Sequence, residues 1–255
     1  MAYGFCIVAT AILQMVYGTT DFLPVFASNG PVYHLAVYVW DILWALSGVA
    51  MLFNIKGYTV SLVSAGVFLM LLFLVQIPHT LFFGNNVPFE WAPVQETSAF
   101  AGCSLIMAGS YSLAGRPAGS APPWSWLEKL IPYGGFFFSV LLVVYGIDHF
   151  VYIAMVATFV PAWMPGSPAF WTYFCGAAMI AAGIAITLKI QLKLAGCLLA
   201  MMFFLWCIMV HIPRVLQVPV GQRELELTRV FLTFGFTGIS LLIAFSGKKA
   251  LRTPR

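Results

Sequence analysis

The chain has 255 residues, of which 62% are hydrophobic and only 8% charged, and its mean hydropathy is +0.96. Soluble domains carry about a quarter charged residues, so this sequence cannot cover a water-facing surface and needs a bilayer in place of much of the water. The net charge of +4 comes from a few loop and terminal Lys and Arg; it excludes a nucleic-acid partner and reports sidedness instead.

Long unbroken apolar runs, rather than short alternating ones, predict helices and not a β-barrel. The first span, 3–25, opens on "MAYGFCIVATAILQMVYG". It lacks a basic leader and a small-residue cleavage site, so it reads as a span and not a signal peptide. Spans at 32–54, 58–82 and 96–115 follow, the last being the least apolar and ending in "GSYSLAG". The polar stretch "GRPAGSAPPWSWLEK" at 115–129 has the Pro, Gly and Ser content of a connector. Four more spans are expected at 132–160, 168–189, 192–216 and 226–246. The predicted fold is all-α, with eight transmembrane helices as two parallel-repeat four-helix bundles. It divides into an N-terminal membrane repeat (1–115), a cytoplasmic linker (116–129), a C-terminal repeat (130–247) and a basic tail (248–255).

One face collects Lys56, Arg116, Lys129, Lys189, Lys193, Lys248, Lys249, Arg252 and Arg255. The other receives Arg214, Arg223 and Arg229, mixed with Glu90, Glu96, Glu224 and Glu226. The positive-inside rule places the first face and both termini in the cytoplasm, and the expected location is a bacterial inner membrane. Cys6, Cys103, Cys175, Cys197 and Cys207 all lie in apolar runs without a C-x-x-C pair, and read as small buried hydrophobes. Trp40, Trp91, Trp124, Trp126, Trp163 and Trp171 lie near span ends, as interfacial anchors do.

The two halves repeat each other. "QIPHTL" at 76–81 recurs as "HIPRVL" at 211–216, a displacement of 135 (76 to 211) that also takes Gly48 to Gly183. Tyr17-Gly18 recurs as Tyr145-Gly146, and Glu96 and Glu226 each open the last span of a half. An even number of spans per half makes the repeat parallel, about a pseudo-twofold along the membrane normal. Matching Phe22 to Phe150 puts Asp21 in the place of His149; Gln76 takes that of His211, and His79 that of Arg214. Pro78 and Pro213 are expected to kink or end their helices, and the small residues of "CGAAMIAAGIA", 175–185, to permit close helix contact.

All three aspartates, Asp21, Asp41 and Asp148, fall within predicted spans; His34, His79, His149 and His211 lie within spans or at their ends. Ionisable groups there are costly and face cavities or other helices. Nearly all fall in the non-cytoplasmic half, which predicts outward-opening polar pockets. One would hold Asp148, His149, His211, Arg214 and Glu226, with Arg214 neutralising Asp148 or Glu226. The other would hold Asp21, Asp41, Gln76 and His79, with Glu96 beside them. A haem fits poorly, because His79 and His211 lie in different halves, and a metal would need His149, His211, Asp148 and Glu226 to converge. No Walker, G-x-S-x-G, H-E-x-x-H or dinucleotide motif is present.

Residues 146–216 resemble the DoxX family of bacterial membrane proteins. The resemblance lies in "GIDHF", the loop "VPAWMPG", "WTYFCGAAMIAAG", the following basic turn and "HIPR". It covers about a quarter of the chain, and the N-terminal half looks like a diverged second copy. It implies four-helix membrane units associated with quinone-linked or thiol-stress redox complexes, by analogy only. The expected function is an accessory subunit that binds a lipid or quinone and partners other membrane subunits or a second copy. The alternatives are a stand-alone quinone-linked oxidoreductase and a small-solute or ion transporter, the latter disfavoured by an almost purely apolar inner half.

Overall fold

The computed structural model describes residues 1–19, 22, 30–84, 90–113 and 125–251, and among these it is helical with no strand. Asp21, Arg116, Trp124, Arg252 and Arg255 lie outside the described residues. The helices are α1 (Ala2–Tyr17), α2 (Pro31–Leu52), α3 (Gly57–Leu71) running through a π turn (Leu72–Gln76) into α4 (Ile77–Phe83), and α5 (Ala92–Leu113). A 3₁₀ helix (Ser125–Tyr133) leads into α6 (Gly134–Val151), followed by α7 (Ile153–Val156), a 3₁₀ turn (Ala157–Phe159) and α8 (Pro168–Thr187). Then α9 (Leu192–Trp206) runs through a second π turn (Cys207–His211) into α10 (Ile212–Gln217), and α11 (Glu224–Ala250) closes the chain.

Among the described residues six helical segments are long and apolar enough to cross a membrane: Pro31–Leu52, Gly57–Phe83, Trp126–Val151, Pro168–Thr187, Leu192–Gln217 and Glu224–Ser246. The chain is a multi-pass membrane protein on that ground. Two expected spans differ. Gly18 ends α1 in a left-handed conformation (φ 69°), leaving 16 residues, or about 24 Å of helix against about 30 Å of hydrocarbon. α5 is polar for its length because it is wrapped by protein: Gln95, Thr97, Ser98 and Ser104 are buried among its neighbours, so lipid never tests its composition. It packs on α3, α6 and α11.

The other packed pairs include α1 with α2, α2 with α3, α6 with α8, α8 with α9, α9 with α11, and α1 with α11. The first helix of each sequence half therefore lies on the last helix of the other half, and α5 and α11 meet at the centre. A cross-half hydrogen bond from Tyr17 Oη to the Val220 carbonyl (3.4 Å) and one from Thr19 Oγ1 to Glu224 tie the same two regions together. Small residues permit the closest crossings. A Cβ built on Gly4 would stand 2.8 Å from the Gly48 carbonyl oxygen, and one on Gly176 2.8 Å from that of Gly146.

The sequence expectations need four corrections. The linker is not all loop: Ser125–Tyr133 is helical, with Leu127 and Ile131 buried against α3 and α5. The fifth span does not run to residue 160; it breaks at Tyr152 (φ −107°, ψ 35°), which places Asp148 and His149 in the last turn of α6. Pro78 and Pro213 do not end their helices, which run on through α4 and α10. A π turn precedes each and absorbs the missing N–H by widening the helix. Finally, the two Tyr-Gly pairs are not equivalent, because Gly18 terminates α1 whereas Gly146 sits inside α6 against Gly176. The π turns keep the displacement of 135 (72 to 207), and so do the positive-φ residues before α3 and α9, Asn54 and Lys56 against Lys189 and Gln191. On that register His149 corresponds to Gln14, not to Asp21.

Candidate functional site

The second π turn builds the site. It lies between α9 and Pro213, and the extra residue it holds per turn brings His211, its last residue, toward the start of α11. There Glu226, in the first turn of α11, is only 4% exposed. Its Oε1 accepts from Arg214 Nε at 2.9 Å and from Arg229 Nη1 at 3.0 Å. His211 Nδ1 stands 3.6 Å from Glu226 Oε2, beyond hydrogen-bond reach, and both atoms are buried without a hydrogen-bond partner. Both guanidiniums lie over the ring of Phe159, with Arg214 Cζ 4.3 Å and Arg229 Cζ 5.3 Å from its centroid. Phe159 ends the 3₁₀ turn that follows the helix break at Tyr152.

The last turn of α6 supplies the adjoining wall. His149 Nδ1 is 2.6 Å from the Tyr145 carbonyl oxygen, and its ring stacks on Trp206 (centroids 5.7 Å apart, 12° between planes). A carbonyl only accepts, so Nδ1 carries the hydrogen and Nε2 presents a lone pair. Tyr145 Oη donates to Glu96 Oε1 of α5 at 2.9 Å. Arg214 and Arg229 both pair with Glu226, and Glu96 stands behind Tyr145 as a second carboxylate.

Of the residues expected in this pocket, His211, Arg214 and Glu226 meet, and His149 stands with Trp206 on the helix wall next to them. Arg214 neutralises Glu226 and not Asp148, whose Oδ2 is buried without a partner. Glu96, expected beside the N-terminal set, accepts a hydrogen bond from Tyr145. Sequence reasoning missed Arg229, which its spacing of three from Glu226 could have revealed. It also missed Tyr145 and Trp206, and Phe159, which only the folded-back loop brings in.

Of the second expected set, Asp41, Gln76 and His79 lie among the described residues. Asp21 is outside the described residues. Asp41 is fully buried and both its carboxyl oxygens lack a partner, so no hydrogen bond joins it to Gln76 or His79. Gln76 is buried at the end of the first π turn. The His79 ring packs on Phe83 at 5.5 Å. Among the described residues no three His, Cys, Asp or Glu side chains are grouped to hold a metal ion.

A family model described as a domain of unknown function (DUF8561) matches residues 138–237. That stretch runs from α6 into α11 and contains every residue of the His149–Glu226 site except Glu96. The DoxX family model does not match. No curated protein and no solved structure matches the chain.

Proposed function

We propose that this chain is an integral membrane protein of eight spans, made of two four-helix repeats, whose C-terminal site binds the oxygenated head of a quinone-like or other lipid-phase ligand. It serves as a ligand-binding accessory subunit of a membrane redox complex. The observation that carries this reading is the unclosed gap between His211 Nδ1 and Glu226 Oε2, 3.6 Å apart with neither atom hydrogen-bonded. A buried polar atom left unpaired costs about 1–3 kcal/mol, and a ligand hydroxyl or carbonyl between the helices would satisfy both groups. His149 Nε2 offers an acceptor, and Trp206 and Phe159 offer flat aromatic faces to a ring.

The eight-span reading is supported by the shared π turns and positive-φ turns of the two halves, and by α5, whose polarity its central position explains. The Lys residues at 56, 129, 189 and 193 lie at the end away from Glu226, which supports a site on the non-cytoplasmic side of a bacterial inner membrane. The DoxX-like motifs at 146–216 lie within the stretch that holds the site.

The test is to purify the chain in mild detergent, analyse its organic extract for quinones, and titrate the delipidated protein with a short-chain quinone while following tryptophan emission. Saturable quenching is expected, weakened at least tenfold in His149→Phe and His211→Phe. Absence of quinone from the extract together with an unquenched titration would reject the reading. Copurification of larger membrane subunits checks the accessory role.

A further inference from the structure

The N-terminal half contains a buried acid that nothing in the described chain satisfies. Asp41 is 0% exposed, and neither Oδ1 nor Oδ2 has a hydrogen-bond partner. Its place is fixed by two contacts between α1 and α2. A Cβ on Gly4 would meet Gly48, and one on Gly18 would meet the His34 ring at 3.8 Å, which sets Asp41 opposite Ala11. Gln14, one turn outward on α1, is 8% exposed and its Oε1 is also unpartnered. On α2 itself the flanking Trp40 and Trp44 bury unpartnered indole Nε1 atoms. Thr97 of α5, one turn outward of Phe100, is 0% exposed with a free Oγ1, and Phe100 lies 5.3 Å from Trp44.

An ionised carboxylate in such surroundings costs several kcal/mol unless a cation accompanies it. None of the described protein cations does so. The titratable groups on the helices packed against α2 are Tyr3, Cys6 and Tyr17 of α1 and Tyr58 of α3, with His79 in its continuation; none is paired with Asp41. The C-terminal half has Gly176 at the position 135 residues on from Asp41, locked against Gly146, so it carries no equivalent acid. We propose that Asp41, with Gln14 of the packed helix α1 contributing an oxygen, is a site for a small monovalent cation, a proton or sodium, distinct from the His149–Glu226 site.

The experiment uses the full chain in detergent micelles and compares its thermal midpoint with that of Asp41→Asn. One arm replaces choline chloride with sodium chloride at constant ionic strength. The other varies the pH between about 5 and 9 in choline chloride. A ligand that binds only the folded state raises the midpoint. In the sodium arm the native chain should gain several degrees and Asp41→Asn none. If the cation is a proton, the native midpoint should instead fall relative to that of Asp41→Asn as pH rises, because proton loss leaves the carboxylate bare. Either difference supports the site; parallel curves in both arms overturn it. Should Asp41→Asn fail to fold, Gln14→Met carries the test. It should raise the sodium or proton concentration at half-response by about tenfold, the effect of losing one oxygen to a charged partner, and an unchanged half-response overturns the proposal. Quinone binding at the C-terminal site is read separately, so failure of one site leaves the other standing.

Discussion

Glu226 holds both its arginines through one oxygen and leaves the other facing a histidine. That arrangement makes it the most exposed point of the site to substitution, though the residue itself is buried. Glu226→Ala would leave two guanidiniums near the membrane boundary with only the Phe159 ring for company. Breaking a buried pair by removing one partner costs about 3–5 kcal/mol; each arginine here is 31% exposed, so the lower part of that range is expected, measured by thermal or denaturant unfolding in detergent. Arg229→Ala should cost less, about 1–2 kcal/mol, because Arg214 still holds Glu226. His149 has the opposite profile. His149→Phe keeps a flat ring against Trp206 and loses only the bond to Tyr145, so stability should change by under about 1 kcal/mol while ligand binding falls. Equal losses of stability in His149→Phe and Glu226→Ala would mark His149 as a structural residue.

Among the elements, the π turns and the glycine crossings are where local sequence sets geometry. Pro213 removes the N–H that an unbroken α-helix would use, and the π turn at Cys207–His211 is the accommodation. Pro213→Ala restores the donor and lets the turn anneal to α-helix, which rotates His211 away from Glu226. Quinone quenching should weaken while helix content stays the same. At the α6–α8 crossing, Gly176→Ala places a methyl 2.8 Å from the Gly146 carbonyl oxygen and the same distance from His149 Cβ. The expected cost is about 1–3 kcal/mol, whereas Gly221→Ala, with nothing within 4 Å, should be neutral. The small residues of α8 made the close crossing legible in the sequence; the Ile-Pro pairs marked where the two helices would depart from regular geometry, but not that a π turn would carry each helix on. The break at Tyr152 had no such mark. Neither Pro nor Gly stands there, and "HFVYIAMV" reads as continuous helix, so Phe159 was out of reach of sequence reasoning. The mis-registered Tyr-Gly pair has the same lesson: a dipeptide match carried less information than backbone turns that recur at one displacement.

At the scale of the whole molecule, the question is whether the two sequence halves are units or parts. Composition and repeat made eight helical segments legible, and the displacement of 135 recurs in both π turns. How the halves meet was not legible, because an apolar helix facing lipid and one facing a neighbour read alike. The structure answers through its packing: α1 lies on α2 and on α11, and α5 on α3 and on α6. Tyr3 of α1 is buried, donates to the Phe100 carbonyl and shares a 3.0 Å hydrogen bond with Ser104 of α5, while Gly235 and Gly238 of α11 admit Cys6 and Ala2 at under 3 Å from a built Cβ. Each half thus completes the other's helix layer, and the central helices α5 and α11 bury polar residues that lipid would not accept. A chain cut between 113 and 125 should therefore behave as one molecule in two pieces. Coexpressed, residues 1–113 and 125–251 should copurify through a tag on either piece and unfold in one transition. Expressed alone, the 1–113 piece should be degraded or aggregate, because α5 would present Gln95 and Ser98, the latter deprived of its bond to the Phe137 carbonyl, to hydrocarbon. Independent stability of the two pieces, with no copurification, would mean that the α1–α11 and α5–α6 contacts are incidental and that each four-helix unit folds by itself.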